Sequence, residues 1–276
     1  MELQLGFSPC PNDTFIFDAL VNNKIDTEGI TFKTELQDVQ TLNNWARQGR
    51  LDVSKISYGV LPMILNEYIV LNSGGALGMG VGPLLIAKQG AEDLTEKDFT
   101  VAIPGRDTTA HMLFSLAFPH IFRKRFLVFN EIEDAVLEGK VDAGVIIHEN
   151  RFTYMQKGLI KLMDLGNYWE QHTSVAIPLG GIVMRRELGK ELIDKVDDLV
   201  KQSVQYAFAN NYENLTPYIK EHAQEMSEDV MKQHINLYVN DYSIALGING
   251  KKAVIKLLNI YEHLYPVPSR YNEVFA

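Results

Sequence analysis

Twice along this chain a short apolar run ends in a turn cluster and hands over to a helical pattern, and the second pass repeats the first. LQLGF (3–7) leads through Ser8-Pro9-Cys10-Pro11 to NDTFIFDALVNN; ITFKTEL (30–36) precedes an Asp38-capped helix closed by Gly49, and LDVSKIS (51–57) leads into the short helix GVLPMIL. The grammar restarts near residue 99 with FTVAIPG, then Asp107-Thr108-Thr109 and AHMLFSLAF, FLVFN, EIEDAVLEGK and VDAGVII. Strands alternating with helices predict an α/β fold with mostly parallel strands. After about residue 187 the pattern is helical only, and Tyr206, Phe208, Met226, Met231 and Tyr238 read as packing positions on those helices.

Gly49-Arg50-Leu51-Asp52-Val53 is matched by Gly139-Lys140-Val141-Asp142-Ala143, and Asp13-Thr14 by Asp107-Thr108. The match is short enough to arise either from two similar lobes or by chance. In the first case a consequence follows, because parallel sheets bind ligands beyond the carboxyl ends of their strands. Facing lobes would pool Ser8, Asn12, Asp13 and Thr14 and the stretch Lys55 to Tyr58 with Thr108, Thr109 and His148 in one cleft.

The balance of charge narrows the partners. A net charge of −9 argues against a nucleic-acid backbone or an anionic membrane, yet leaves room for a small anion in a local site. The single cysteine, Cys10, excludes an intrachain disulfide. No leader-like segment or membrane-length apolar run occurs, so a cytoplasmic protein is expected. SGGALGMGVGPLLIAK (73–88) invites a phosphate-loop reading, but Pro83 and an aliphatic strand stand where Gly-Lys-Ser/Thr and a helix are needed. A flexible crossover between lobes is the simpler reading.

Among candidate groups His148 stands out, since it follows a buried-strand pattern and should sit at that strand's carboxyl end. There it is either a general base working near neutral pH or a hydrogen-bonded histidine at a lobe edge. His148-Glu149 is not a zinc-protease motif, because Phe152 occupies the second histidine position. His111, His120, His172, His222, His234 and His263 have no metal-ligand spacing and read as satisfied or solvated histidines, so no metal site is expected. Lys55, late in an apolar strand, must reach either solvent or an anion. Ser57, Thr108 and Thr109 each suit ligand binding or helix capping, with Asp107 also available as a cap. Cys10 has no base at a recognisable spacing and is not expected to act as a nucleophile.

SPCPNDTFIFDAL (8–20), DVQTLNNWARQGRLDVSKISY (38–58), SGGALGMGVGPLLIA (73–87), PGRDTTA (104–110) and IIHENRFTY (146–154) closely resemble the 1,4-dihydroxy-6-naphthoate synthase family of the futalosine route to menaquinone. The likeness extends to DLGNYWE (164–170) and PLGGI (178–182), with Asn150 standing where a serine is expected. It implies a two-lobed fold like that of type II periplasmic binding proteins, with a central cleft and C-terminal helices returning to the first lobe. The lobes would be 1–88 with 179–276, and 89–178. It further implies His148 as proton acceptor, and Lys55, Ile56, Ser57, Thr108 and Thr109 as substrate-binding residues. The implied substrate is cyclic dehypoxanthine futalosine, a carboxylated fused ring carrying sugar-derived carbons, converted without cofactor or metal. Chorismate dehydratase of the same pathway and a plain solute-binding protein are the alternatives. Ser8, Asn12, Asp13 and Thr14 as a cleft wall, however, follow from the turn itself and not from the family.

Overall fold

A computed structural model describes residues 1–92, 94, 98–148, 150–223, 227–265 and 273–276; Glu149 and Met226 lie outside the described residues. Strand β1 (Glu2–Phe7) stops where prolines can no longer donate to a ladder. Helix α1 (Pro11–Val21) begins on proline, whose missing N–H has no intrahelical partner to lose in the first turn. Its N-cap is Cys10, whose side chain makes no capping bond, so Asn12, Asp13 and Thr14 do not cap it. Being already inside the first turn, they turn their side chains to other uses.

The first pass continues through β2 (Thr31–Leu36), α2 (Val39–Arg47), β3 (Val53–Ser57), a 3₁₀ turn Tyr58–Met63, β4 (Tyr68–Val70) and β5 (Ala76–Gly78). Asp38 caps α2 by accepting from the N–H groups of Gln40 and Thr41, as expected. The second comprises β6 (Leu84–Lys88), β7 (Val101–Ile103), α3 (Thr109–Ala117), β8 (Lys124–Phe126), α4 (Ile132–Leu137) and β9 (Ala143–Ile146). After α5 (Asn150–Thr153), β10 (Leu159–Asp164) and α6 (Leu165–Thr173), β11 (Ile177–Arg185) returns to the first sheet. Helices α7 (Lys190–Asn210), α8 (Pro217–His222), α9 (Glu228–Tyr238), α10 (Asp241–Ile244) and α11 (Gly247–Leu264) follow. The eighth strand lies ahead of the expected FLVFN run, because Lys124 to Phe126 are the residues in register with β7.

One sheet has the order β2-β1-β3-β11-β4, with β5 beside β11; the other has β8-β7-β9-β6-β10. In each, the first three strands are parallel and the next two join antiparallel. The sheets are therefore mixed, where mostly parallel strands were expected: β6 and β11, which carry the chain from one lobe to the other, run against their neighbours. The repeated Gly-basic-aliphatic-Asp motif is a repeated helix-to-strand joint. Gly49 and Gly139 take φ of +64° and +73°, and Asp52 and Asp142 accept the backbone N–H of Gln4 (2.8 Å), within β1, and of Thr100 (2.7 Å), just ahead of β7. Similar lobes, not chance, account for it.

A boundary at residue 88 would put Leu84–Lys88 in the first lobe, but this strand pairs with β9 and β10, so the crossover lies ahead of Leu84. Gly80 and Gly82 there take positive φ, which suits a turn between sheets. The C-terminal helices pack back on the first lobe: Val196, Val200 and Val204 of α7 and Ile235 of α9 join Leu5, Phe7, Phe15 and Ile16 in one core. A second core crosses the lobes, joining Tyr58 and Leu61 to Leu113 and Phe114 and to Val254 and Leu257 of α11. Among the described residues no helix is long and apolar enough to cross a membrane.

Candidate active site

Between the lobes lies a cleft lined by residues of both, with about 720 Å³ of empty space when the part open to solvent is counted. Strand β3 sends Lys55 and Ser57 to one side and Ile56 to the other, as strand alternation requires. Ile56 borders the cleft, but its side chain belongs to the core. Lys55 is buried and does not reach solvent: its Nζ lies 2.9 Å from Oδ1 of Asp13. Asp13 is in turn held by Ser8, whose Oγ (2.7 Å) and N–H (3.2 Å) both donate to Oδ2. Asn12 Nδ2 donates to Asp13 Oδ1 at 2.8 Å. The opening turn is thus the counterion of Lys55, a link that residue spacing alone could not show. Thr14 is the exception: its hydroxyl donates back to the Cys10 carbonyl, and it does not line the cleft.

Ser57 and Thr109 meet across the lobes. Their hydroxyl oxygens are 3.1 Å apart, and the Thr109 N–H donates to Ser57 Oγ at 2.8 Å. Thr108 caps α3, accepting from the His111 N–H at 3.2 Å and donating to the Gly105 carbonyl at 2.9 Å. Asp107, the other candidate cap, instead pairs with Arg47 of the first lobe at 2.9 Å. Buried Asn43 completes the seam, donating to the Asp107 carbonyl (2.7 Å) and accepting from the Ser57 N–H (3.0 Å). Both threonines line the cleft beside the N-terminus of α3, whose dipole favours negative charge.

His148 stands just past the end of β9 with φ of +55°, left-handed backbone that few residues other than glycine adopt. Its ring is half-buried against Phe129, with centroids 5.0 Å apart and edge to face. Nδ1 is 3.8 Å from Sγ of Cys10, so the thiol does have an imidazole neighbour, brought to it by the fold from the other lobe. His148 also stacks on His234 of α9, with centroids 5.9 Å apart and ring planes 12° from parallel. A base at this position borders the same cavity as Lys55, Ser57 and the threonines.

His234 and Tyr238, read from sequence as ordinary helix positions, line the cleft as well. His234 is fully buried, and its Nε2 lies 3.0 Å from Asn12 Oδ1. Because Asn12 Nδ2 is committed to Asp13, its Oδ1 can only accept, so Nε2 of His234 carries the proton. Burial, then the nearby His148 and Lys55, hold this imidazole well below its ordinary pKa. It is a neutral ring in the site. One turn apart on α9, His234 and Tyr238 do share a helix face; what the sequence lacked was any sign that this face meets the cleft. Among the described residues no group of three or more His, Cys, Asp or Glu is arranged to hold a metal.

The family model described as "Menaquinone biosynthesis" matches residues 3–263. The 1,4-dihydroxy-6-naphthoate synthase of Thermus thermophilus is 46% identical over 255 residues, 92% of each chain. That of Streptomyces coelicolor is 44% identical over 264 residues, 93% of this chain and 91% of its own. Among solved structures, protein AF1704 from Archaeoglobus fulgidus superposes with a TM-score of 0.89 at 29% identity, covering 95% of this chain and 97% of that one. The Candida albicans CA3427 product, described as having the generic periplasmic binding protein fold, gives 0.68 at 10% identity, covering 100% and 98%. A ligand-binding component of an ABC-type import system from Staphylococcus aureus gives 0.72 at 15% identity, covering 99% and 96%. These last two show the fold alone, the two-lobed form of periplasmic binding proteins. The match over nearly the whole length, with two enzymes that share close to half their residues with it, makes this chain a member of the menaquinone-biosynthesis family.

Proposed function

We propose that the protein is a 1,4-dihydroxy-6-naphthoate synthase, a lyase that converts cyclic dehypoxanthine futalosine to 1,4-dihydroxy-6-naphthoate. The observation that carries this reading is the convergence of His148 from one lobe with Lys55 and Ser57 from the other on a single cavity, in a chain of this family. His148 removes a proton from the bound ring system, the sugar-derived fragment leaves, and the ring becomes aromatic. Aromatisation supplies the driving force, so the protein has to position the substrate, accept the proton and stabilise developing negative charge. Lys55, Ser57, Thr108 and Thr109 hold the substrate, with Ile56 as backing and Ser8, Asn12 and Asp13 as the wall behind Lys55. The carboxylate is served by the Lys55 ammonium and by the N-terminus of α3.

In this scheme the reaction takes place in the cytoplasm on a carboxylated small molecule, needs neither metal nor organic cofactor, and involves no nucleic acid or membrane. Purified protein given the cyclic substrate alone should develop naphthoate absorbance. Turnover of chorismate in its place would reject the reading.

A further inference from the structure

His234 has one nitrogen that no described residue of the protein uses. Nε2 donates to Asn12, while Nδ1 is buried and has no hydrogen-bond partner among the described residues. A buried polar atom left unmet is costly, and such atoms call for an explanation. This one belongs to a residue that lines the cleft and stacks on His148. The chain Lys55–Asp13–Asn12–His234 also fixes what Nδ1 can meet. Asp13, held by Lys55, takes the Asn12 amide N–H, which leaves Asn12 Oδ1 facing Nε2. The proton is therefore on Nε2, and Nδ1 presents only a lone pair.

From this we infer that His234 Nδ1 accepts a hydrogen bond from a hydroxyl on the sugar-derived part of the substrate, and so orients that part beside His148. The inference rests on the naphthoate-forming reading of the site. A substrate carboxylate is excluded from this position, since a lone pair meets it with repulsion; it belongs with Lys55 and the α3 N-terminus. The two ends of the molecule are thereby sorted by two kinds of group within one cavity, cationic at one place and neutral acceptor at the other.

Two substitutions separate this role from a purely structural one. In His234→Gln the amide nitrogen falls near the place of Nε2 and keeps the link to Asn12, but nothing replaces Nδ1. In His234→Asn the amide oxygen falls near the place of Nδ1, and the link to Asn12 is lost. With cyclic dehypoxanthine futalosine, KM should rise about tenfold in His234→Gln (~1.4 kcal/mol) with kcat little changed, as loss of uniform binding predicts. KM in His234→Asn should stay closer to that of the wild type. A wild-type KM in the glutamine variant, or a larger rise in asparagine than in glutamine, overturns the inference. Should the variants fail to fold, the ¹⁵N resonance of His234 Nδ1 in His148→Asn protein serves instead: it should move upfield on adding the substrate, and an unmoved resonance overturns the inference. Wild-type protein that forms no naphthoate would reject the reaction itself, an outcome distinct from either.

Discussion

Lys55 and Asp13 form an ion pair of 2.9 Å with their side chains 7% and 2% exposed, so neither charge has water to fall back on. Removing one partner of such a pair leaves the other uncompensated, typically at a cost of about 3–5 kcal/mol. Asp13→Asn should therefore lower stability to urea by that order, even though asparagine can still accept from Ser8. Replacing the ammonium as well, in Asp13→Asn/Lys55→Met, should recover much of the loss while leaving substrate binding poor. A double variant no more stable than the single one would show that Asp13 stabilises the fold through Ser8 and Asn12 rather than through Lys55.

For His148 the backbone dictates the substitution. At φ of +55° asparagine is among the few side chains at ease, so His148→Asn removes the base without straining the turn. Turnover should fall by roughly two to four orders of magnitude, the usual worth of a positioned general base. The thermal midpoint should barely move. Near-normal turnover would place the base elsewhere.

The strand–helix alternation and the doubled helix-to-strand joint could be read directly, because backbone-level signals such as Gly49, Asp52, Gly139 and Asp142 act on neighbours close in sequence or at fixed positions in a βα unit. His148 was legible for the same reason, as the residue after a buried strand. The mixed direction of the sheets was not, since nothing local tells β6 or β11 which strand it will lie beside. The same holds for the site. Lys55 reads as a lysine in need of an anion, but its anion, Asp13, is identified only once β3 has been laid parallel to β1. His234 is a stronger case, being delivered by a helix that returns from the far end of the chain to touch Asn12. Thr108 lies between the two: its position leaves ligand binding and capping open, with Asp107 as a rival cap, and the structure makes Thr108 the cap.

Gly59 tests the seam between the lobes. A Cβ there would stand 2.3 Å from the carbonyl carbon of Thr108 and 2.6 Å from its oxygen, main-chain atoms that cannot swing aside. Gly59→Ala must push the start of α3 away from β3, and with it the contact of Ser57 with Thr109. The expected result is a loss of about 1–3 kcal/mol from overpacking, together with a raised KM, although no cavity side chain has changed. A variant with wild-type stability and KM would mean that the lobes have slack at this point.

His111 gives the pH dependence a sign. Burial lowers its pKa from 6.5 to about 4, against the opposing hydrogen bond to the Arg106 carbonyl and with help from Lys124. The folded protein therefore holds it neutral at pH values where the unfolded chain would protonate it. Between about pH 6.5 and 4 the unfolded state binds the extra proton, so this group's contribution is complete above that window and is lost as pH falls through it. Buried His234 acts in the same direction, and a substitution at 111 should thus remove only part of the slope. His111→Asn retains a donor near the place of Nδ1 for the Arg106 carbonyl and cannot titrate. Urea unfolding of both proteins at neutral pH and near pH 4.5 should show the wild type's advantage shrinking in acid; a difference independent of pH would mean that His111 takes up its proton without cost in the fold.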